Sequence, residues 1–365
     1  MIDAWYDIHG LVKIHLKVSE KNSARIVDRL LSSFRSTPVD NSNLQLEFFD
    51  AIKHLSDSPS LNAGGCNYSE SERMVWDSDC AVKSDRSGKI TIYSNKGIDK
   101  YVLTLLLMIQ MARQHLAVCH AMGIVIEDEA ILFPAWKRTG KTGLLNYFLK
   151  QEQIKVLGDE LMIISRQGEV YNLPYPVIIQ HYHATDKPTA LGKTYAKNRN
   201  IYLAYTIDPF LDYIAKPMVS LFSHISPALG RFIKQKAPER GVTTPLEQIV
   251  SADRIINHAK LKKVINLIRT SGGEIEIKPY EYKVVVPEII GMLYQGELYS
   301  SLNVERFLQY WLVLNAFNAA ESWQSILLEL EQVLEEALMY AECYRATFPQ
   351  EAQITEIGKC IDSFI

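Results

Sequence analysis

Val12, Ile14, Leu16 and Val18 alternate with Lys13, His15 and Lys17, the two-residue period of a strand with one wet face. Ile26, Val27, Leu30, Leu31 and Phe34 then recur at helical spacing, and a second alternation at Leu44, Leu46 and Phe48 predicts another strand. Ser56 to Ser71, rich in Ser, Asn, Gly and Pro, reads as a loop. A turn at Asp85 to Gly88 leads into a strand over Lys89 to Tyr93. Gln110, Arg113, Gln114, His115 and His120 interrupt the apolar stretch Val102 to Ile126. No run of roughly 18 apolar residues survives there, so it reads as a buried helix over Tyr101 to Leu116 followed by a strand rather than a membrane span. These elements predict a small α+β domain over residues 1–115.

From Gly123 the texture changes. GIVIE and AILFP are apolar strands joined by a tight acidic turn at Asp128 and Glu129. A glycine-containing loop follows, then a helix from about Lys141 to Lys150, then an apolar strand, IKVLGDELMIIS. Strand, loop, helix and strand in this order make an α/β nucleotide-binding core, here assigned to residues 116–300. Farther on, Asp208 to Ile225 and Pro245 to Asn257 read as helical, and KLKKVINLIR fits either a strand or a helix. The last segment, 301–365, is expected to be helical. Trp323, Ile326, Leu327, Leu330, Val333, Leu334 and Leu338 form an apolar stripe there, with Glu329, Glu331, Glu335 and Glu336 mostly off it. Core packing and a contact between copies in a homo-oligomer both suit that stripe.

Composition narrows the class. Hydrophobic residues make up 47% and charged residues 22% of 365 positions, which suits a globular chain with a real core. A net charge of -3 with interspersed signs gives no basic face for nucleic acid. Cys66, Cys80, Cys119, Cys343 and Cys360 are odd in number and widely spaced, with no CxxC pair. Neither a zinc site nor a disulfide framework is expected, and a reducing compartment is. MIDAWYDIHG carries acidic residues where a signal peptide is basic and then apolar. A soluble, cytoplasmic protein with no membrane partner is therefore expected.

The chemistry concentrates in AWKRTGKT, Ala135 to Thr142, which fits G-x-x-x-x-G-K-[ST] at every required place except the first. Such a loop presents main-chain N–H groups to a phosphate at the N-terminal end of a helix. The expected cradle is Ala135, Lys137, Arg138, Thr139, Gly140, Lys141, Thr142 and Gly143. Lys141 would contact the β- and γ-phosphates of ATP or GTP, the Thr142 hydroxyl would ligate magnesium, and Gly140 keeps a Cβ out of the way. Ile131, Leu132 and Phe133 supply the preceding strand, and Leu144, Leu145, Tyr147 and Phe148 an amphipathic helix after it. A second GKT at Gly192 to Thr194 has Lys187 at the first glycine position and no apolar strand ahead, so it is discarded.

Asp159 and Glu160 would be an ordinary solvated turn in isolation, and one helix beyond a phosphate loop they become candidates for metal binding and proton handling. Gln180, His181, Tyr182 and His183 read as the polar face of a strand, without a third metal ligand. Lys187, Lys193, Lys197 and Arg199 read as a solvated basic loop. Arg231 is a candidate for neutralising transferred charge.

The run from Cys119 to Ile164, CHAMGIVIEDEAILFPAWKRTGKTGLLNYFLKQEQIKVLGDELMII, resembles the catalytic core of HPr kinase/phosphorylase, itself similar to phosphoenolpyruvate carboxykinase. In that family a histidine precedes a strand pair and the phosphate loop, and an acidic pair follows one helix later. Here His120 lies 21 residues before Lys141, and Asp159 lies 18 after it. The resemblance implies an α/β phosphate-loop core of that type, between a small N-terminal α+β domain and C-terminal helices. It implies Asp159 as the catalytic carboxylate facing the attacking hydroxyl, Glu160 as a magnesium ligand beside Thr142, and His120 near the transferred group. The sequence departs from the family at Ala135, at Glu160 in place of a second aspartate, and after the acid pair, where no arginine- and glycine-containing motif follows. The expected activity is magnesium-dependent transfer of a phosphoryl group to a hydroxyl of a peptide, protein or small alcohol. A nucleotide-binding regulator or scaffold without turnover, and a hydrolase or carboxykinase-like enzyme, are the alternatives.

Overall fold

A computed structural model of the chain describes residues 2–18, 27, 30–38, 44–49, 61–63, 66–69, 73–76, 80–84, 90–94, 100–173, 175–179, 191, 194, 242–293 and 323–365. Asp208 to Ile225, Gln180 to His183, Lys187, Lys193, Lys197, Arg199 and Arg231 lie outside the described residues.

The N-terminal part is a nine-stranded sheet. Its strands are β1 (Ile2–Ile8), β2 (Val12–Val18), β3 (Arg35–Ser36), β4 (Leu44–Phe49), β5 (Leu61–Ala63), β6 (Cys66–Ser69), β7 (Met74–Trp76), β8 (Cys80–Ser84) and β9 (Ile90–Ser94). The order is β3-β1-β2-β4-β9-β8-β7-β6-β5. Alternation in β2 sends Val12, Ile14, Leu16 and Val18 inward. The stretch read as a loop from Ser56 to Ser71 contains β5 and β6, which pair antiparallel. A polar composition masked them.

Helix α1 (Lys100–Arg113) is buried on every side from Val102 to Ala112, as befits a helix held between layers. It packs on the strand that follows, β10 (Leu116–Ile126), which is buried along all but its last residue. The core continues through β11 (Glu129–Pro134), α2 (Lys141–Phe148), β12 (Lys155–Gly158), β13 (Leu161–Ser165) and β14 (Glu169–Leu173). A small pair, β15 (Val177–Ile179) with β16 (Val242–Thr244), stands apart from the large sheet. Then come β17 (His258–Thr270), β18 (Glu276–Pro279), α3 (Tyr282–Gly291), α4 (Trp323–Leu338), β19 (Glu342–Pro349) and α5 (Ile354–Asp362). The fold is mixed α/β. The large sheet runs β11-β10-β13-β14-β17-β19-β18, with β11 and β19 both parallel to β17 and a further pairing of β11 to β17 that closes the path on itself. One apolar cluster joins α1, α3, α4 and residues of the N-terminal sheet, and the other joins α2 and α5.

Three further expectations are corrected. Pro245 to Asn257 is not a helix but two single 3-10 turns, Leu246–Gln248 and Ala252–Arg254. The C-terminal segment is not helical throughout. β19 lies between β17 and β18 inside the large sheet. IKVLGDELMIIS is not one regular strand: it breaks at Asp159 and Glu160 into β12 and β13, both antiparallel to β10, and the register slips between Gly123 and Ile124. KLKKVINLIR is settled as strand, within β17. The apolar stripe of α4 buries Ile326, Leu330, Val333, Leu334 and Leu338 in the core. No helix among the described residues is long and apolar enough to cross a membrane.

Arg254, at the end of the second 3-10 turn, closes the exit of α2. Its guanidinium donates to the carbonyl of Leu149 at the C-cap of α2 and to those of Gln151 and Ile154 just beyond it. Arg254→Ala is expected to lower stability by about 2 kcal/mol, because several carbonyls lose a charged donor at once. Urea unfolding reads the loss, and an unchanged midpoint would remove Arg254 from this role.

Candidate phosphate-loop site

The loop leaves the C-terminal end of β11 and leads directly into α2. Ala135 is fully buried and prolongs the strand by a parallel bridge to Leu267 of β17. It is not among the residues of positive φ, which in this loop are Arg138 at 67° and Gly140 at 119°. A glycine is therefore needed at 140 and not at 135, where alanine meets no backbone strain. The amide and hydroxyl of Thr139 both donate to the Trp136 carbonyl, at 3.2 and 2.8 Å, and tie off the bend. Trp136, Lys137 and Arg138 are exposed.

α2 begins with Gly140 in the N-cap position and no side-chain cap, so its first turn presents a dipole end that suits an anion. Lys141 is buried, and its ammonium donates to the Ala135 carbonyl at 3.0 Å. The Thr142 hydroxyl donates to Asp159 Oδ2 at 2.6 Å. Ile354 of α5 lies against Gly140 and Gly143, closer to Gly140 than any Cβ there would permit.

Asp159 and Glu160 occupy the break between β12 and β13. The register slip between Gly123 and Ile124 of β10 lies opposite this break. The Ala121 amide still donates to the Glu160 carbonyl at 3.1 Å, which anchors the break on β10. Asp159 is 2% exposed, and its Oδ1 is buried without a hydrogen-bond partner. Burial lifts its carboxyl from the usual range to about 7; the Glu160 charge adds to this, while the Thr142 hydrogen bond and Lys141 oppose it. Glu160 Oε2 lies 3.2 Å from Nε2 of His120, whose side chain is 1% exposed against 23% for Glu160. Burial raises the neighbouring Cys119 thiol to about 12, with Lys141 pulling the other way, so this cysteine stays protonated and inert.

The structure thus gathers Lys141, Thr142, Asp159, Glu160 and His120 in one neighbourhood. Sequence reasoning missed Arg269. From β17 its Nε donates to the Thr139 carbonyl at 2.8 Å, its Nη1 donates to the carbonyls of Pro349 and Gln350, and its plane lies over Phe348. The only available signal was an arginine ending the apolar run VINLIR, and its partners are far away in the chain. A surface pocket lined by Tyr280, Glu281, Tyr282, Lys283, Ala341 and Cys343 includes none of the loop or acid-pair residues.

Among the described residues no group of three or more His, Cys, Asp or Glu side chains could hold a metal ion. The fit for magnesium is of another kind. It uses one or two protein oxygens and completes its shell with phosphate and water, and the orphaned Asp159 Oδ1 beside the Thr142 hydroxyl is a hard-oxygen set of that size. No protein-family model matches the chain, and a search of curated proteins likewise returns no match.

Proposed function

We propose that the chain is a nucleoside-triphosphate-dependent kinase that transfers the terminal phosphoryl group to a hydroxyl of a peptide, protein or small alcohol. The observation that carries this reading is the 2.6 Å bond from Thr142 to Asp159. It joins the uncapped first turn of a helix to a buried carboxylate with an oxygen to spare. A triphosphate laid along residues 139–143 meets amides and a helix dipole of the right sign. Lys141, which rests on the Ala135 carbonyl, exchanges that neutral acceptor for β- and γ-phosphate oxygens, a stronger charge-assisted bond. Thr142 and one carboxylate of the acid pair are the residues that would hold magnesium, which when bound would neutralise charge developing on the phosphates. In the transfer, the acceptor oxygen bonds to the γ-phosphorus as the bond from that phosphorus to the β–γ bridging oxygen breaks. A carboxylate of the acid pair takes the hydroxyl proton, and the nucleoside diphosphate leaves. Arg269, fixed to the Thr139 carbonyl, keeps the bend from collapsing when Lys141 moves.

Isothermal titration with ATP and magnesium tests the proposal. Lys141→Ala is expected to bind at least about tenfold more weakly, the cost of losing one charged phosphate contact. Equal affinities for the two proteins would defeat the phosphate-loop assignment. The same titration with GTP decides which base the site prefers.

A further inference from the structure

The geometry points to a division of labour within the acid pair: Asp159, with Thr142, is the carboxylate that holds the metal, and Glu160 is the one that receives the proton of the acceptor hydroxyl. This inference rests on the nucleotide reading above, and it reverses the roles that the resemblance to HPr kinase/phosphorylase implies.

Accessibility separates the two carboxylates. A proton acceptor must come within about 3 Å of the reacting hydroxyl, together with whatever molecule carries that hydroxyl. Asp159 is 2% exposed and sits in a strand break behind α2, with Oδ2 already engaged by Thr142. Its carboxylate presents almost no surface to solvent. Glu160 is 23% exposed at its side chain, so an incoming hydroxyl can reach its carboxylate from solvent.

Local bonding points the same way. Because the Thr142 hydroxyl gives its proton to Asp159, the lone pairs of the threonine oxygen remain for a cation. The buried, partnerless Oδ1 of Asp159 is a second hard donor on the same pair of residues. A small cation satisfies both without admitting a substrate, and phosphate oxygens and water fill the rest of its shell. Glu160 is held instead by His120, whose Nε2 lies 3.2 Å from Oε2. A buried imidazole that donates to a carboxylate fixes its direction and stabilises its charge, which is what a proton acceptor at the edge of the site needs.

The test separates metal binding from proton transfer. ATP is titrated into the whole chain with and without magnesium chloride, for the wild type, Asp159→Asn, Thr142→Val and Glu160→Gln, with circular dichroism as the check of folding. Magnesium is expected to tighten ATP binding by about tenfold or more in the wild type and in Glu160→Gln, and to lose most of that gain in Asp159→Asn. Thr142→Val, which removes the hydroxyl and keeps the side-chain shape, reports on the same position should Asp159→Asn not fold, and it too is expected to lose the gain. Release of inorganic phosphate from magnesium-ATP, with water as the hydroxyl acceptor, is expected to fall by about a hundredfold in Glu160→Gln at unchanged ATP affinity. A magnesium gain that disappears in Glu160→Gln and persists in Asp159→Asn would overturn the assignment and leave the nucleotide reading intact. So would phosphate release by Glu160→Gln at the wild-type rate. Failure of the wild type to bind ATP at all would overturn the nucleotide reading and this assignment with it.

Discussion

Replacing Asp159 with asparagine is expected to stabilise the ligand-free chain at about pH 8 and to leave its stability nearly unchanged near pH 4. Asparagine keeps the volume and can still accept the Thr142 hydroxyl, so the substitution removes little except the charge. That charge is expensive where it sits. Burial, and then the Glu160 carboxylate, raise the Asp159 value from 3.8 to about 7. A folded-state value above the unfolded one means that the buried carboxyl is tolerated while protonated, and that this contribution is lost as pH climbs through about 7. The variant therefore gains on the wild type between about pH 4 and pH 7 and holds its advantage above. A displacement of this size corresponds to at most on the order of 4 kcal/mol, and some of it is shared with Glu160. Melting curves across that range read the effect as several degrees at the alkaline end. Magnesium with ATP should then stabilise the wild type more than the variant, because the cation pairs with the charge that costs so much without it. Superimposable melts at alkaline pH would mean that Asp159 ionises without penalty. The chain would on this account carry a standing instability at its centre, the usual mark of a group kept for chemistry rather than for folding.

The second large effect lies on α5. Gly358→Ala is expected to destabilise the chain by about 2–3 kcal/mol, although alanine is normally the better helix former by about 1 kcal/mol. A Cβ at this position would stand 2.5 to 2.8 Å from Cγ, Cδ1 and Cδ2 of Tyr147. These are the root of the ring, not a flexible tip. The ring cannot easily retreat, because it packs edge-on against Phe148 at 5.5 Å. Relief must come from a shift of α5 away from α2, and Ile354 at the start of α5 is the side chain that covers Gly140 and Gly143. ATP affinity should fall along with the urea midpoint. Trimming the ring tests the cause: Tyr147→Ala combined with Gly358→Ala should recover part of the loss, a coupling that independent sites would not show. If Gly358→Ala alone unfolds at the wild-type midpoint or above it, Tyr147 does not hold α5 at this distance from α2.

Much of the site neighbourhood could be read from the chain because its parts are close in sequence. The strand before the loop, the glycine and lysine at the head of α2, and the acidic pair after β12 fall between His120 and Glu160, a stretch where local period and residue type carry the signal. What escaped reading was whatever depends on distant partners. Arg269 supports a loop 130 positions earlier, and Arg254 closes a helix about a hundred residues before it. A lone arginine in a sequence gives no hint of such a partner. The misread elements have a common cause as well. Pro245 to Asn257 carries apolar residues at spacings that suit a helix, yet its backbone is drawn into short turns around the strand pair β15–β16 and the Arg254 anchor. The residues of β19, ECYRATFP, are short and mixed in polarity, and burial between β17 and β18 decides that they are a strand.

The sequence by itself determined the elements whose pattern is strong: the alternating β2, the largely apolar α1 and β10, the amphipathic α4, and the strand, loop and helix that carry Lys141 and Thr142. Hydrophobic periodicity is a local quantity, and a chain can specify it over ten residues. Only the tertiary structure decided that β17 joins β11 and β19 in one sheet, that α5 covers the glycines of the loop, and that Thr142 meets Asp159 while His120 meets Glu160. Those outcomes are set by which distant surfaces exclude water from one another and which buried polar atoms find partners. Neither quantity exists until the chain has closed.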